Sequence, residues 1–155
     1  INEQKTSLNC RRCGSVAVKK GYLLVCQYKS CQVAFWDSKV ITENLNDAQL
    51  FDQVLRESGV PRGNQISYSA NKRDHYTVYV IYLNHDIGKF DHYVGMTGLH
   101  PYERYLNHLR GYKGNAMVKK YGYYMLKFEG PMSYQFAQKR EKSILAEIPG
   151  CPYSR

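Results

Sequence analysis

The chain has 155 residues, 43% of them apolar, and carries 22 Lys and Arg against 13 Asp and Glu, a formal net charge of +9. That length suits one domain with room for a small satellite module, and the apolar content excludes wholesale disorder. No run approaches the roughly 18 consecutive apolar residues of a membrane-spanning helix, and no secretory signal pattern opens the chain.

A soluble, intracellular (cytoplasmic, or nuclear in a eukaryote) protein is therefore expected. The chain opens on Ile1, which leaves room for a processed or upstream segment. The charge is uneven. Residues 1–36 hold six basic and one acidic residue, 37–101 six and eight, and 102–155 ten and four. Neither basic end offers the amphipathic helix that a membrane surface requires, so nucleic acid is the expected polyanion. The alternative is a protein of high pI with no nucleic-acid role. Fifteen tyrosines, twelve of them between Tyr68 and Tyr134, suit either base stacking or β-sheet packing.

Cys10-Arg11-Arg12-Cys13-Gly14 and Cys26-Gln27-Tyr28-Lys29-Ser30-Cys31 are two close cysteine pairs with twelve residues between them. Four thiolates at this spacing can close a tetrahedral shell around a structural Zn2+, with no open position for catalysis. Two disulfides would need a secreted setting, and a redox pair at Cys10 and Cys13 would need a strand-to-helix junction that Thr6-Ser7-Leu8-Asn9 does not suggest. Cys151 is left over as a free thiol. Val16-Ala17-Val18 and Tyr22-Leu23-Leu24-Val25 read as short strands, with Phe35-Trp36 as an apolar cap. Arg11, Arg12, Lys19, Lys20 and Lys29 are expected to face solvent or DNA. The module spans residues 1–40.

Residues 41–74 are expected to hold an amphipathic helix over about 43–57, carrying Leu45, Ala48, Phe51 and Val54-Leu55 and closed by Ser58-Gly59, and then a linker. In 75–155, Tyr76 to Leu83 and Asp91 to Gly95 read as a hairpin, Pro101 opens a helix ending at Gly111, and Tyr123 to Phe128 forms a third strand. On that helix Tyr102, Leu106 and Leu109 share one face, and Arg104 and His108 stand four apart on another.

A last helix over about 133–148, capped by Ser133, carries the stripe Ala137, Ile144, Leu145 and Ile148, with Glu141 inside it by spacing. A carboxylate on a core-facing line needs a cation or donor; a helix-edge residue paired with Lys or Arg is the alternative. Glu147 falls with Arg140 and Ser143 on the solvated side.

These residues resemble the GIY-YIG nuclease family. Val78-Tyr79-Val80 is similar to its first motif and Tyr93-Val94-Gly95 to its second. The stretch from Gly98 to His108 is similar to the helix carrying its arginine, and Ala137 to Glu141 to the helix carrying its metal-binding glutamate. The likeness covers about residues 76–149. The loop between the first two motifs is longer than usual, so Tyr82 competes with Tyr79, and no family-type asparagine follows Glu141.

The resemblance implies an α+β fold with a small three-stranded antiparallel sheet flanked by helices. It also implies a divalent-metal-dependent DNA endonuclease, restriction-type or otherwise site-recognising. Glu141 would hold Mg2+ or Mn2+, Arg104 would clamp the scissile phosphate, and Tyr79 and Tyr93 would position or deprotonate water. His108 is a second candidate base, with a helix-surface imidazole as the alternative, and Lys89 is a weaker one. The other functional readings are a catalytically inactive nucleic-acid-binding protein, a structure-specific repair nuclease and, from the cysteines, a redox protein. DNA is the expected partner, and a homodimer is compatible with double-strand cutting.

Overall fold

The computed structural model describes residues 3–39, 45–63, 74–84 and 91–148, and of residues 3–8 the backbone. Lys89, Cys151, the boundary near residue 40, the start of the expected 43–57 helix, most of the linker and the segment after Ile148 lie outside the described residues.

Four strands come first: β1 (Glu3–Asn9), β2 (Val16–Lys20), β3 (Leu23–Cys26) and β4 (Ala34–Trp36). Then follow α1 (Ala48–Glu57), β5 (Tyr76–Leu83), β6 (His92–Thr97), α2 (Pro101–Arg110), α3 (Ala116–Tyr121), β7 (Gly122–Met132) and α4 (Tyr134–Glu147). The fold is α+β with an open antiparallel sheet, but among the described residues the sheet has seven strands instead of the three expected, in the order β1-β2-β3-β4-β7-β5-β6. The three expected strands lie side by side, with β5 between β6 and β7. The extra four are the cysteine-bearing meander, which joins through Ala34 opposite Met125.

Local chemistry explains the element ends. Asp47 caps α1 by accepting from the amides of Gln49 and Leu50, so the helix starts later than its apolar periodicity suggests. Pro101 opens α2, and Gly111, at φ +81°, closes it in the left-handed conformation. Ser133 caps α4 as expected. The six-residue α3, capped by Asn115, was not expected.

One core cluster joins Leu23, Ala34 and Trp36 of the meander to Phe51, Val54 and Leu55 of α1, Tyr79 and Ile81 of β5, and Leu106 and Leu109 of α2. Trp36 thus belongs to this larger core, while Phe35 stays with the cysteines. Its indole Nε1–H donates to the Tyr102 carbonyl of α2 at 3.1 Å. Arg11 does not face solvent or DNA as expected. It donates to the Tyr123 carbonyl at 2.8 Å and lies over the rings of Phe35 and Tyr123, so it bolts the meander to β7. Lys19 is likewise occupied, paired with buried Asp37 at 3.2 Å.

The β2–β3 turn abuts the end of α1. Tyr22 donates its amide to Ser58 Oγ at 3.0 Å, and a Cβ on Gly21, at φ +59°, would lie 2.5 Å from the Glu57 carbonyl oxygen. Gly14, at φ +77°, has nothing within 4 Å. Gly14→Ala should therefore lose only the left-handed cost, about 1 kcal/mol. Gly21→Ala adds a backbone clash and should lose roughly 3 kcal/mol in urea unfolding. Equal losses would mean that the turn does not bear on α1.

Candidate active site and metal centre

The four cysteines of the meander converge. The Sγ atoms of Cys10, Cys13, Cys26 and Cys31 all lie within 4.8 Å of one another, with Cys10 to Cys31 at 3.6 Å and Cys13 to Cys26 at 3.5 Å. Four sulfurs ~2.3 Å from a central ion would be ~3.8 Å apart, so the cluster has the dimensions of a tetrahedral site. The amides of Arg12 and Tyr28 donate to the sulfurs of Cys10 and Cys26 at 3.3 and 3.4 Å. These four residues could hold a metal ion. Burial pushes the Cys10 thiol up and the Cys26 thiol up to about 12, whereas the hydroxyl and amide of Ser15 pull Cys13 down to about 6. Burial therefore favours the neutral thiol at Cys10 and Cys26, and a bound cation is what would hold all four sulfurs as thiolates.

The second constellation gathers residues from β5, β6, α2 and α4. Tyr79 and Tyr93 are buried on the same sheet face, their ring centroids 6.2 Å apart, and both lean over Gly95. A Cβ there would meet Tyr79 Oη at 2.6 Å and the Tyr93 ring at 3.0 Å, so only glycine admits this pair. His108 is not a helix-surface imidazole. It is 0% exposed, and its Nε2 lies 2.8 Å from Tyr79 Oη.

The tautomer of His108 follows from its other nitrogen, which accepts the Asn115 amide at 2.8 Å. Burial, with Arg104 nearby, pushes the imidazole down to about 3, so the ring is neutral and its one proton sits on Nε2. His108 therefore donates to Tyr79 Oη. Gly114 makes this geometry possible, since a Cβ there would lie 2.7 Å from His108 Cα. A base role for His108 does not suit that arrangement, because neither ring nitrogen presents a free lone pair.

Arg104 and Tyr93 also lie close to Tyr79, and each favours its ionised form. Burial still pushes Tyr79 up to about 12, opposed by Arg104 and reinforced by the charge of Glu141. Tyr93 is pushed up by burial and by the neighbouring Tyr79. Glu141 is 4% exposed, between Ala137 and Ile144, which is the core-facing position expected from its spacing. By contrast, Glu147 bonds Arg140 and Ser143 on the solvated side, and Arg140 also holds Glu129.

A cavity of about 310 Å³ opens on this cluster, lined by Tyr93, Arg104, Lys113, Gly114, Asn115 and Ala116. Lys113, at φ +50°, was not singled out in the sequence. A Lys-Gly-Asn turn before a short helix was the available signal. Tyr82, the competitor for the first motif, stacks on Tyr124 at 4.9 Å beside His92 and away from this pocket. No protein family, curated protein or solved structure matches the chain.

A neutral His108 has a consequence for stability. Its folded pKa lies below the ordinary 6.5, so the unfolded chain binds the extra proton; the stabilisation is present above about 6.5 and is lost as pH falls towards 3. Burial depresses His92 and His100 in the same direction. Nitrogen-15 NMR should find His108 as the neutral Nε2–H form from pH 8 to 5, and the urea midpoint should fall as the pH drops below about 6.5. A ring titrating near 6.5 would contradict the assignment.

Proposed function

We propose that the protein is a divalent-metal-dependent DNA endonuclease of the kind the GIY-YIG motifs imply. The observation that carries this reading is the clustering of Tyr79, Tyr93, Arg104, His108 and Glu141, from four separate elements, behind an open cavity that Tyr93 and Arg104 line. Buried tyrosines have no packing need for an arginine, a histidine and a carboxylate beside them, and each of those groups costs desolvation. Phosphodiester hydrolysis needs this kind of set: a fixed positive charge for the phosphoryl oxygens, a group to take a proton from water and a cation site.

Arg104 has the planar fork suited to a phosphate, and Lys113 lies on the same wall. Tyr79 Oη is the proton acceptor of this scheme. His108 Nε2–H donates to it, and Arg104 and Tyr93 favour the phenolate, but burial outweighs them and keeps the phenol up at about 12, so the scheme needs a bound cation to bring it down. His108 is then a positioning residue. Glu141 supplies a single carboxylate, which fits a hard cation that keeps several waters, such as Mg2+ or Mn2+. A bound cation of this class would polarise the phosphate and stabilise the leaving oxygen. It would also cancel the one negative charge that opposes the Tyr79 phenolate.

The cysteine cluster takes a structural Zn2+ in this reading, because four sulfurs leave no open coordination position. Through Trp36 and Arg11 it braces α2 and β7. A catalytically inactive DNA-binding protein and a structure-specific repair nuclease are the other readings. Sequencing the ends from a mixed substrate separates restriction-type from structure-specific cutting, since only the former gives one short sequence.

Supercoiled plasmid with Mg2+ should be nicked or linearised by the wild type. Glu141→Gln, Arg104→Lys and Tyr79→Phe should each slow cleavage at least 100-fold while still binding DNA. Cleavage unaffected by Glu141→Gln would refute the site, and binding without cleavage by the wild type would favour the inactive protein. Elemental analysis should find one zinc per chain, lost on Cys26→Ser together with much of the stability.

A further inference from the structure

A second concavity, of about 250 Å³, lies on the other flank of α2, lined by Cys31, Gln32, Tyr102, Met125, Leu126, Lys127 and Phe128. Phe128 is 42% exposed, large for an aromatic ring on a strand, and nothing among the described residues covers it. Tyr102 meets it at 5.5 Å with an interplanar angle of 85°, and His100 lies 6.2 Å away. The two rings thus form a right-angled corner. Gln32, exposed and at a backbone φ of +53°, a region that glycine or asparagine ordinarily occupies, is part of the lining. The ammonium of Lys127, shared with Glu129 at 3.3 Å, completes the rim.

We propose that this corner binds a single unpaired nucleobase of a DNA strand whose phosphate lies at Arg104. The inference rests on the DNA-cleaving reading above and adds a substrate contact to it. A flat heterocycle can stack on one ring while meeting the edge of the other, and stacking on aromatic rings is how proteins hold unpaired bases. The amide of Gln32 offers both donor and acceptor to a base edge. The volume suits one heterocycle, below the ~300 Å³ at which sites for drug-sized ligands begin.

Position supports the same occupant. Phe128 stands directly opposite Tyr79 in the β5–β7 register. Tyr102 and Arg104 are two positions apart on α2, about 200° around its axis, so the corner and the phosphate cavity flank one helical turn. A helix is ~10 Å across, about three nucleotides at ~3.4 Å each along one strand. A strand crossing the N-terminal half of α2 would reach both. An unpaired base could be a flipped, bubbled or single-stranded one, and each presents the same free face.

The test uses the full chain in a Glu141→Gln background, so that DNA is bound and not cut. The probes are a mixed-sequence single-stranded oligonucleotide, an abasic strand of equal length, and a paired duplex, all at one salt concentration. The wild-type corner should bind the base-bearing strand about 5- to 150-fold more tightly than the abasic strand, the range that stacking covers. Phe128→Leu, which keeps apolar volume on an exposed site but removes the flat face, should erase most of that difference, and Phe128→Trp should restore it. A 2-aminopurine in the strand should be quenched by the wild type and not by the Leu variant.

Equal affinity for abasic and base-bearing strands, or a difference that Phe128→Leu leaves intact, would overturn the proposal while leaving the nuclease reading standing. Failure to bind any of the three probes would overturn the nuclease reading first, and this one with it.

Discussion

A helix that is buried on most of its sides must find a partner for every polar group it carries, and α2 sets that condition for the rest of the chain. Seven of its ten residues are buried, among them Glu103, Asn107 and His108. Each unmet group would cost a few kcal/mol. Glu103 accepts the Gly63 amide at 2.9 Å; its carboxyl is pushed up by burial and held back by that bond and by Arg62 and Arg110. Arg110 donates to Asn107 and to the Leu45 carbonyl, and its guanidinium lies 3.8 Å over the Phe51 ring. His108 spans the Asn115 amide and Tyr79. The start of α1, the turn after it, the α2–α3 turn and the meander all dock where they meet one of these demands.

The same condition shapes the candidate site. Tyr79 projects from β5 into a space that α2 closes from above, so its hydroxyl has to bond within the protein. The donors around it come from α2 itself and from the neighbouring strand. Gly95 and Gly114 are small because two aromatic rings and one histidine backbone occupy the space that their side chains would need. The two glycines therefore describe one packing event, seen from the sheet and from the turn.

Much of this was legible in the residues. The β-branched and aromatic run Tyr76 to Leu83 forms β5 with the bounds expected, and Ser133 caps α4. Glu141 stood out because a carboxylate breaks an apolar stripe, and it is buried. The sheet size was not legible, since β4 meets β7 through a single residue pair separated by about ninety positions in the chain, and no local pattern encodes that. The burial of His108 was not legible because helical spacing assigns one buried face, whereas α2 is buried on more than one, with Tyr102, Arg104 and Arg110 left partly exposed. The cysteine spacing gave the cluster but not its attachment, which depends on Arg11 and Trp36 meeting carbonyls far along the chain.

The internal commitment of the cations has a bearing on how strongly this protein responds to ionic strength. Arg11, Lys19, Arg110 and Arg140 are tied to carbonyls, carboxylates and rings of the fold. Each phosphate neutralised steepens the dependence of log affinity on log salt by ~0.9 for duplex DNA, and only cations that reach the polymer contribute. The formal +9 is therefore a poor guide to counterion release. If the protein binds DNA as proposed, the groups that remain at the surface, such as Lys113 at the cavity and Lys119 and Lys120 on α3, would set the steepness.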